Sequence, residues 1–223
     1  MKARNILTVL LLLAVCAGTC TICSCSKDDT EENGPSGNGG GNNSSGNAVE
    51  DLDIIVTVTD EGITPKGTIF TAVNDKTFFV NFIKYTVKEG HLVVSGYDET
   101  GLKSINGAAK IVSMINYKGI PYQVLEIGEK AFYRSSDLTS ITIPNMIRNI
   151  ESSAFYGCTS LTDVYCLATT QPIAYIYNGA GSYPAFDLSY TKEHTTLHVP
   201  AGSIESYSAT YPWNSFKNIV AIE

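Results

Sequence analysis

Histidine is scarce in this sequence, with three in 223 residues, and beyond residue 25 only two cysteines remain, Cys158 and Cys166. A structural zinc site takes Cys and His ligands in tetrahedral sets, and these residues do not supply one. His194 and His198 have the spacing of metal ligands on a helix. On or beside a strand, where the local pattern puts them, the same spacing means about 13 Å. His91 stands alone beside a turn. A cysteine nucleophile needs a partnered histidine, and none is indicated. Positive charge is also short: 15 Lys and Arg face 22 Asp and Glu, for a net charge of -7. Phosphate binding requires a basic surface, so nucleic acid is excluded as a partner. Carboxylate pairs such as Glu126 with Glu129, or Asp60 with Glu61, fall on expected turns or coil edges and read as solvated surface. No spacing nominates two carboxylates for glycoside hydrolysis, so neither an enzyme nor a cofactor is expected. The chain holds thirteen tyrosines and a single tryptophan. Tyrosine suits sheet surfaces and partner contacts equally.

Long apolar runs are confined to the start. Lys2 and Arg4 precede an almost unbroken apolar stretch, residues 6–17, which is the layout of a secretory signal; a membrane-spanning helix over residues 6–25 is the competing reading. Lipoprotein signals end at a cysteine that becomes acylated, with an aliphatic residue three places before it and a small one directly before it. Cys25, with Ile22 and Ser24 in those places, fits best; Cys20 is the weaker alternative. The tract Ser26-Lys27-Asp28-Asp29 resembles the lysine-plus-acidic signal by which some Gram-negative anaerobes send lipoproteins to the cell surface; a solvated charge run is the plainer reading. Residues 33–47, NGPSGNGGGNNSSGN, hold too little apolar area to order. Without a preceding strand, a following helix or a closing lysine they are not a phosphate loop. The expected organisation is a signal peptide at 1–24, then a lipidated Cys25 and tether at 25–48. The tether's reach is on the order of 27 Å.

Folding begins near Val49. Residues 55–58 alternate as a strand. Residues 78–87 read as another, and Lys88-Glu89-Gly90 turns it back into residues 91–97 as a hairpin. Residues 109–115 and 122–125 are further strands, split by a turn at Lys118-Gly119-Ile120-Pro121. No long helical period appears, and residues 49–121 read as a small antiparallel β module.

An internal repeat follows. Ile127 and Ile150, Ala131 and Ala154, Phe132 and Phe155, Leu138 and Leu161, and Ile141 and Val164 are each 23 residues apart. A degraded third copy restates Ala-Phe at Ala185-Phe186 and the strand at Leu197-His198-Val199-Pro200. A unit this short cannot bury its apolar side alone, so it must stack on the next. Leu138, Ile141 and Ile143, then Leu161, Val164 and Cys166, should point inward, with Phe132 and Phe155 filling the far side. Cys158 and Cys166 fit as buried apolar residues rather than a disulfide. Ser203 is placed as a helix N-cap. Ile204, Tyr207 and Trp213 are placed in a C-terminal cap that closes on residues 220–222.

This pattern resembles the BspA-like leucine-rich repeats over residues 122–223. The resemblance implies a fold that is mostly β with short helical turns: a short leucine-rich-repeat solenoid preceded by the small antiparallel β module, which caps it. It also implies a surface binding or adhesion module. The expected partner is a protein or a glycan at the cell exterior, and the outer membrane is reached through the lipid. Outward residues alternate with inward ones along each strand, which nominates Ser140, Thr142, Asp163, Tyr165, Thr196 and His198 as a partner-binding row. The insertion at residues 167–193 adds Tyr175, Tyr177, Tyr183 and Tyr190. They serve either recognition or the patching of an irregular coil.

Overall fold

Parallel strands cannot be joined by a tight turn. A chain that builds a parallel ladder must travel round a coil between rungs, and a 23-residue repeat provides that path. The computed structural model describes residues 54–177 and 181–222. These lie in one compact unit, Ser44–Glu223; the other unit, Met1–Asn43, falls outside the described residues. So do the expected signal peptide, Cys25 and the tether.

The chain is mostly β. It runs through β1 (Ile55–Thr59), β2 (Gly62–Thr64), β3 (Phe70–Asn74), β4 (Thr77–Val80), β5 (Ile83–Lys88) and β6 (His91–Tyr97) to a short helix, α1 (Glu99–Ser104). Next come β7 (Ala108–Lys110), β8 (Met114–Tyr117), β9 (Ile120–Ile127), β10 (Ser140–Ile143), β11 (Asn149–Ile150), β12 (Asp163–Cys166) and β13 (Ile173–Ala174). The last elements are α2 (Leu188–His194), β14 (Thr196–Val199), α3 (Ile204–Ala209) and β15 (Asn218–Ala221). Two sheets result. One follows the order β2-β1-β8-β9-β6-β5-β4-β3, with β11 and β13 continuing from β9; the other is β15-β14-β12-β10-β7, parallel throughout.

The N-terminal part departs from a purely antiparallel module. Strands β3 to β6 do form an antiparallel meander. However, β1 joins β8, and β6 joins β9, in parallel. The chain reaches these pairings by crossing over rather than by hairpins. Two stretches expected as single strands are also divided. Within 78–87 the chain reverses at Asn81 and Phe82, with φ of 45° and 70°. A phenylalanine at positive φ is unfavourable alone, so tertiary contacts must hold it. Asn81 N–H donates to the Ile69 carbonyl and Asn81 Oδ1 accepts from Ile69 N–H, both at 2.9 Å. The Phe82 ring fills the space over Gly101 that a Cβ there would occupy. Within 109–115 the chain leaves one sheet for the other at Ile111 and Val112, both fully buried. At that corner Val112 N–H is satisfied by the Tyr85 hydroxyl at 3.1 Å.

The expected inward residues are all inward. Leu138, Ile141, Ile143, Leu161, Val164 and Cys166 are buried, as are Phe132 and Phe155. The phenylalanine rings stack at 5.3 Å and 6°, and Phe186 continues the stack at 5.1 Å. Main-chain bonds set the rungs: Phe132 N–H donates to Ala154 O, and Phe155 N–H to Ala185 O. The degraded copy therefore keeps its place, with Leu197 beside Val164. An earlier rung was not read from the sequence. Tyr97 stacks on Phe132 at 5.4 Å, and β7 pairs with β10. The offset of this rung is not 23 residues, because the β8–β9 hairpin intervenes.

At the other end Trp213 is buried, edge-on to Phe186, and its Nε1–H donates to Pro172 O at 3.2 Å. Strand β15 closes the sheet on β14. Ser203 differs from expectation: it makes no side-chain cap for α3. Its hydroxyl donates instead to Thr169 O at 3.1 Å, tying the cap to the preceding coil.

Candidate functional site

On a parallel ladder in register, residues at matching positions form rows across the strands. Two rows run over the outer face of the five-stranded sheet. The first is Ala108, Ser140, Asp163, Thr196 and Asn218; the second is Lys110, Thr142, Tyr165, His198 and Val220. All six residues nominated from the strands lie on these rows. Thr142 departs from expectation in being only 4% exposed. Its register partners are Lys110 and Tyr165, and a threonine between two longer side chains is covered by them.

The centre of the face is fixed by three side chains. The Tyr165 and His198 rings stack at 4.2 Å and 14°. His198 Nε2–H donates to Asp163 Oδ1 at 2.8 Å, and Thr162 Oγ1–H donates to Asp163 Oδ2 at 2.8 Å. Burial raises the Tyr165 phenol above its ordinary pKa, and the Asp163 charge adds to it. Asn218 Nδ2–H donates to Thr196 Oγ1 at 3.3 Å, so the first row is linked as well. Polar groups held this way lose little freedom on meeting a partner. They are arranged for hydrogen bonding and stacking.

The four insertion tyrosines do not assemble into one site. Tyr175 and Tyr177 meet edge to face and line a groove of about 470 Å³ with Ile173, Tyr211 and Trp213. Tyr175 packs against the core, whereas Tyr177 is 61% exposed. Tyr183 stacks on Tyr156, and Tyr190 on His194 at 4.3 Å. Both readings of the insertion therefore apply, to different residues. His194 ends α2 with Nδ1 at 3.0 Å from the Tyr190 carbonyl. His91 is not isolated: its Nε2 lies 3.9 Å from Glu126, which Lys88 also pairs at 3.2 Å.

Cys158 and Cys166 are both buried and free. Burial pushes their thiols up to about 12 and about 11 respectively. Neither is a thiolate near neutral pH, so neither can act as a nucleophile there. Lys110, Tyr133 and Tyr156 are surface residues the sequence reading passed over. The last two had a signal: both clear copies read Ala-Phe-Tyr, 23 residues apart.

The stacked rungs and inward aliphatic positions are similar to those of a known repeat over part of the chain. Residues 102–183 match the BspA type Leucine rich repeat region (6 copies). The matched span starts within α1, ahead of β7, the first rung of the ladder. No curated protein matches the chain. Among solved structures, the chain is similar to a leucine-rich repeat protein from Bacteroides capillosus, at 23% identity over 66% of this chain and 99% of that one, with a TM-score of 0.43. It is also similar to a leucine-rich repeat protein from Bacteroides ovatus, at 24% identity over 56% of this chain, with a TM-score of 0.38. A leucine rich cell surface protein from Faecalibacterium prausnitzii is similar at 17% identity over 68% of this chain, with a TM-score of 0.37. This chain spans 32% and 44% of the last two.

Proposed function

We propose that this protein is a binding or adhesion module of the cell surface, a short leucine-rich-repeat solenoid that presents its five-stranded face to a protein partner. The supporting observation is the Asp163–His198–Tyr165 cluster, held at the centre of that face by a 2.8 Å hydrogen bond and a 4.2 Å ring stack. The reading is one of recognition: the cluster holds hydrogen-bonding and stacking groups in fixed positions on the face. A glycan ligand is the competing outcome. Arrays of proteins and of glycans probed with the full-length chain separate the two.

Tyr165→Ala is expected to weaken partner binding about tenfold or more, as loss of a central interface aromatic does. It should leave the thermal midpoint nearly unchanged, because the ring lies outside the core. Unchanged affinity would remove the sheet face from consideration.

The anchor belongs to the same reading. Cys25 carries lipid, residues 25–48 form the tether, and the body stands outside the outer membrane. Support comes from the Ile22, Ser24 and Cys25 pattern. Cys25→Ser should abolish the acyl mass increment in mass spectrometry; persistent acylation would move the site to Cys20.

A further inference from the structure

A second register of rings runs beside the buried phenylalanines. Tyr133 and Tyr156 follow Phe132 and Phe155 by one residue. Their rings stack at 6.4 Å, and Tyr183 completes the stack on Tyr156 at 4.3 Å. All three are half-buried. Among the described residues their hydroxyls make no side-chain hydrogen bond, unlike those of the core tyrosines Tyr85 and Tyr207. Three pre-stacked phenols thus carry spare donors and acceptors at the surface.

The charges beside them are uneven. The exposed Arg134 guanidinium lies 5.1 Å over the Tyr133 ring. Its stem passes over Gly157, whose lack of a side chain leaves it room: a Cβ there would come within 2.9 Å of Arg134 Cγ. Lys130, near Tyr133, is paired with Glu129 at 2.9 Å. Among the described residues no carboxylate pairs with Arg134, while five lysines of the body are paired. Asp187 lies towards Tyr156, and its carboxylate accepts from Tyr190 N–H at the start of α2. Arg134 and Asp187 therefore act with opposite sign on Tyr156, the middle ring, and Arg134 is left without a charged partner among the described residues.

We propose that this strip binds an anionic polysaccharide whose pyranose rings carry carboxylates. Arg134 takes one carboxylate as a two-point pair, the geometry a guanidinium favours. Tyr156 and Tyr183 exchange hydrogen bonds with hydroxyls of the following rings, where Asp187 disfavours further negative charge. In an extended peptide, side chains on one face recur every ~6.7 Å, which suits the 6.4 Å rung but not the 4.3 Å one, so an acidic peptide is the competing ligand. The site is separate from the sheet-face cluster and does not depend on it.

The test is calorimetric titration of the full-length protein with an oligogalacturonate, with a neutral oligoglucan of equal length and with poly-L-glutamate. The oligogalacturonate should bind and weaken with added salt, and the oligoglucan should bind far more weakly. Arg134→Gln should lower the oligogalacturonate affinity about tenfold, the worth of a charged two-point pair. Tyr156→Phe keeps the stack and loses the hydroxyl, so it should weaken binding about threefold with no change in melting. Tyr165→Ala should have no effect, which separates this site from the sheet face. Absence of binding, an unaltered affinity in Arg134→Gln, or tighter binding of poly-L-glutamate would overturn the proposal.

Discussion

Gly107→Ala is expected to lower stability by about 4 kcal/mol or more, the range of a steric clash that no rotamer relieves. Gly107 has a φ of +73°, and a Cβ added there would overlap the Asp137 carbonyl oxygen and approach Thr139 N to 2.9 Å. Both neighbours are backbone, so the strand entry itself would have to shift. That entry matters because the Gly107 carbonyl accepts from Thr139 N–H at 3.0 Å and Ser140 N–H at 3.3 Å, which docks β7 on β10. Gly119→Ala is the control. It shares a positive φ, +76°, but a Cβ there meets nothing within 4 Å, so it should cost only about 1–2 kcal/mol of backbone strain. Thermal unfolding followed by circular dichroism checks both. At about 2–4 °C per kcal/mol for a body of this size, the two midpoints should lie several degrees apart. Equal losses would mean that strain alone, and not the rung contact, makes this glycine necessary.

Phe155→Ala is expected to cost about 3–5 kcal/mol through the cavity left behind. Its ring is 1% exposed and lies between Phe132 and Phe186 at 5.3 and 5.1 Å. Both faces lose a stacked partner, a further ~0.5–1.5 kcal/mol per pair. Phe155→Leu restores much of the volume and none of the stacking, so it should recover more than half of the loss. Urea titration gives the comparison. A loss below about 1 kcal/mol for the alanine variant would show that the neighbouring coils collapse into the gap, and that the rings do not hold the coils at their spacing.

The parts of this fold legible in the sequence are those where one residue's role repeats at a fixed interval. Phe132 and Phe155, or Ile141 and Val164, occupy equivalent places because each coil must present the same apolar surface to the next. Periodicity transmits that requirement directly to the sequence. The outward row was legible for the same reason, since strand alternation fixes the side. Exposure was not: Thr142 lies on the correct side yet is covered, because exposure depends on the size of its register partners. The turn at Asn81-Phe82 carried only a lone asparagine as turn signal, and the positive φ of Phe82 is held by contacts with Ile69 and the space over Gly101. Tyr133 and Tyr156 were visible as a repeat, but Tyr183, which completes their stack, comes from the insertion and has no fixed offset.

By itself, then, the sequence determined the coil: its period, its inward residues, its mostly β character and the side on which each strand residue lies. The tertiary structure alone decided where the ladder begins, that β1 and β6 enter in parallel, and which polar groups meet. Spacing along the chain reports only contacts that recur at a constant separation. The Asp163–His198 bond, the Tyr97–Phe132 stack and the Tyr156–Tyr183 pair join residues 35, 35 and 27 positions apart, separations that are not multiples of the 23-residue repeat, and folding alone brings them together.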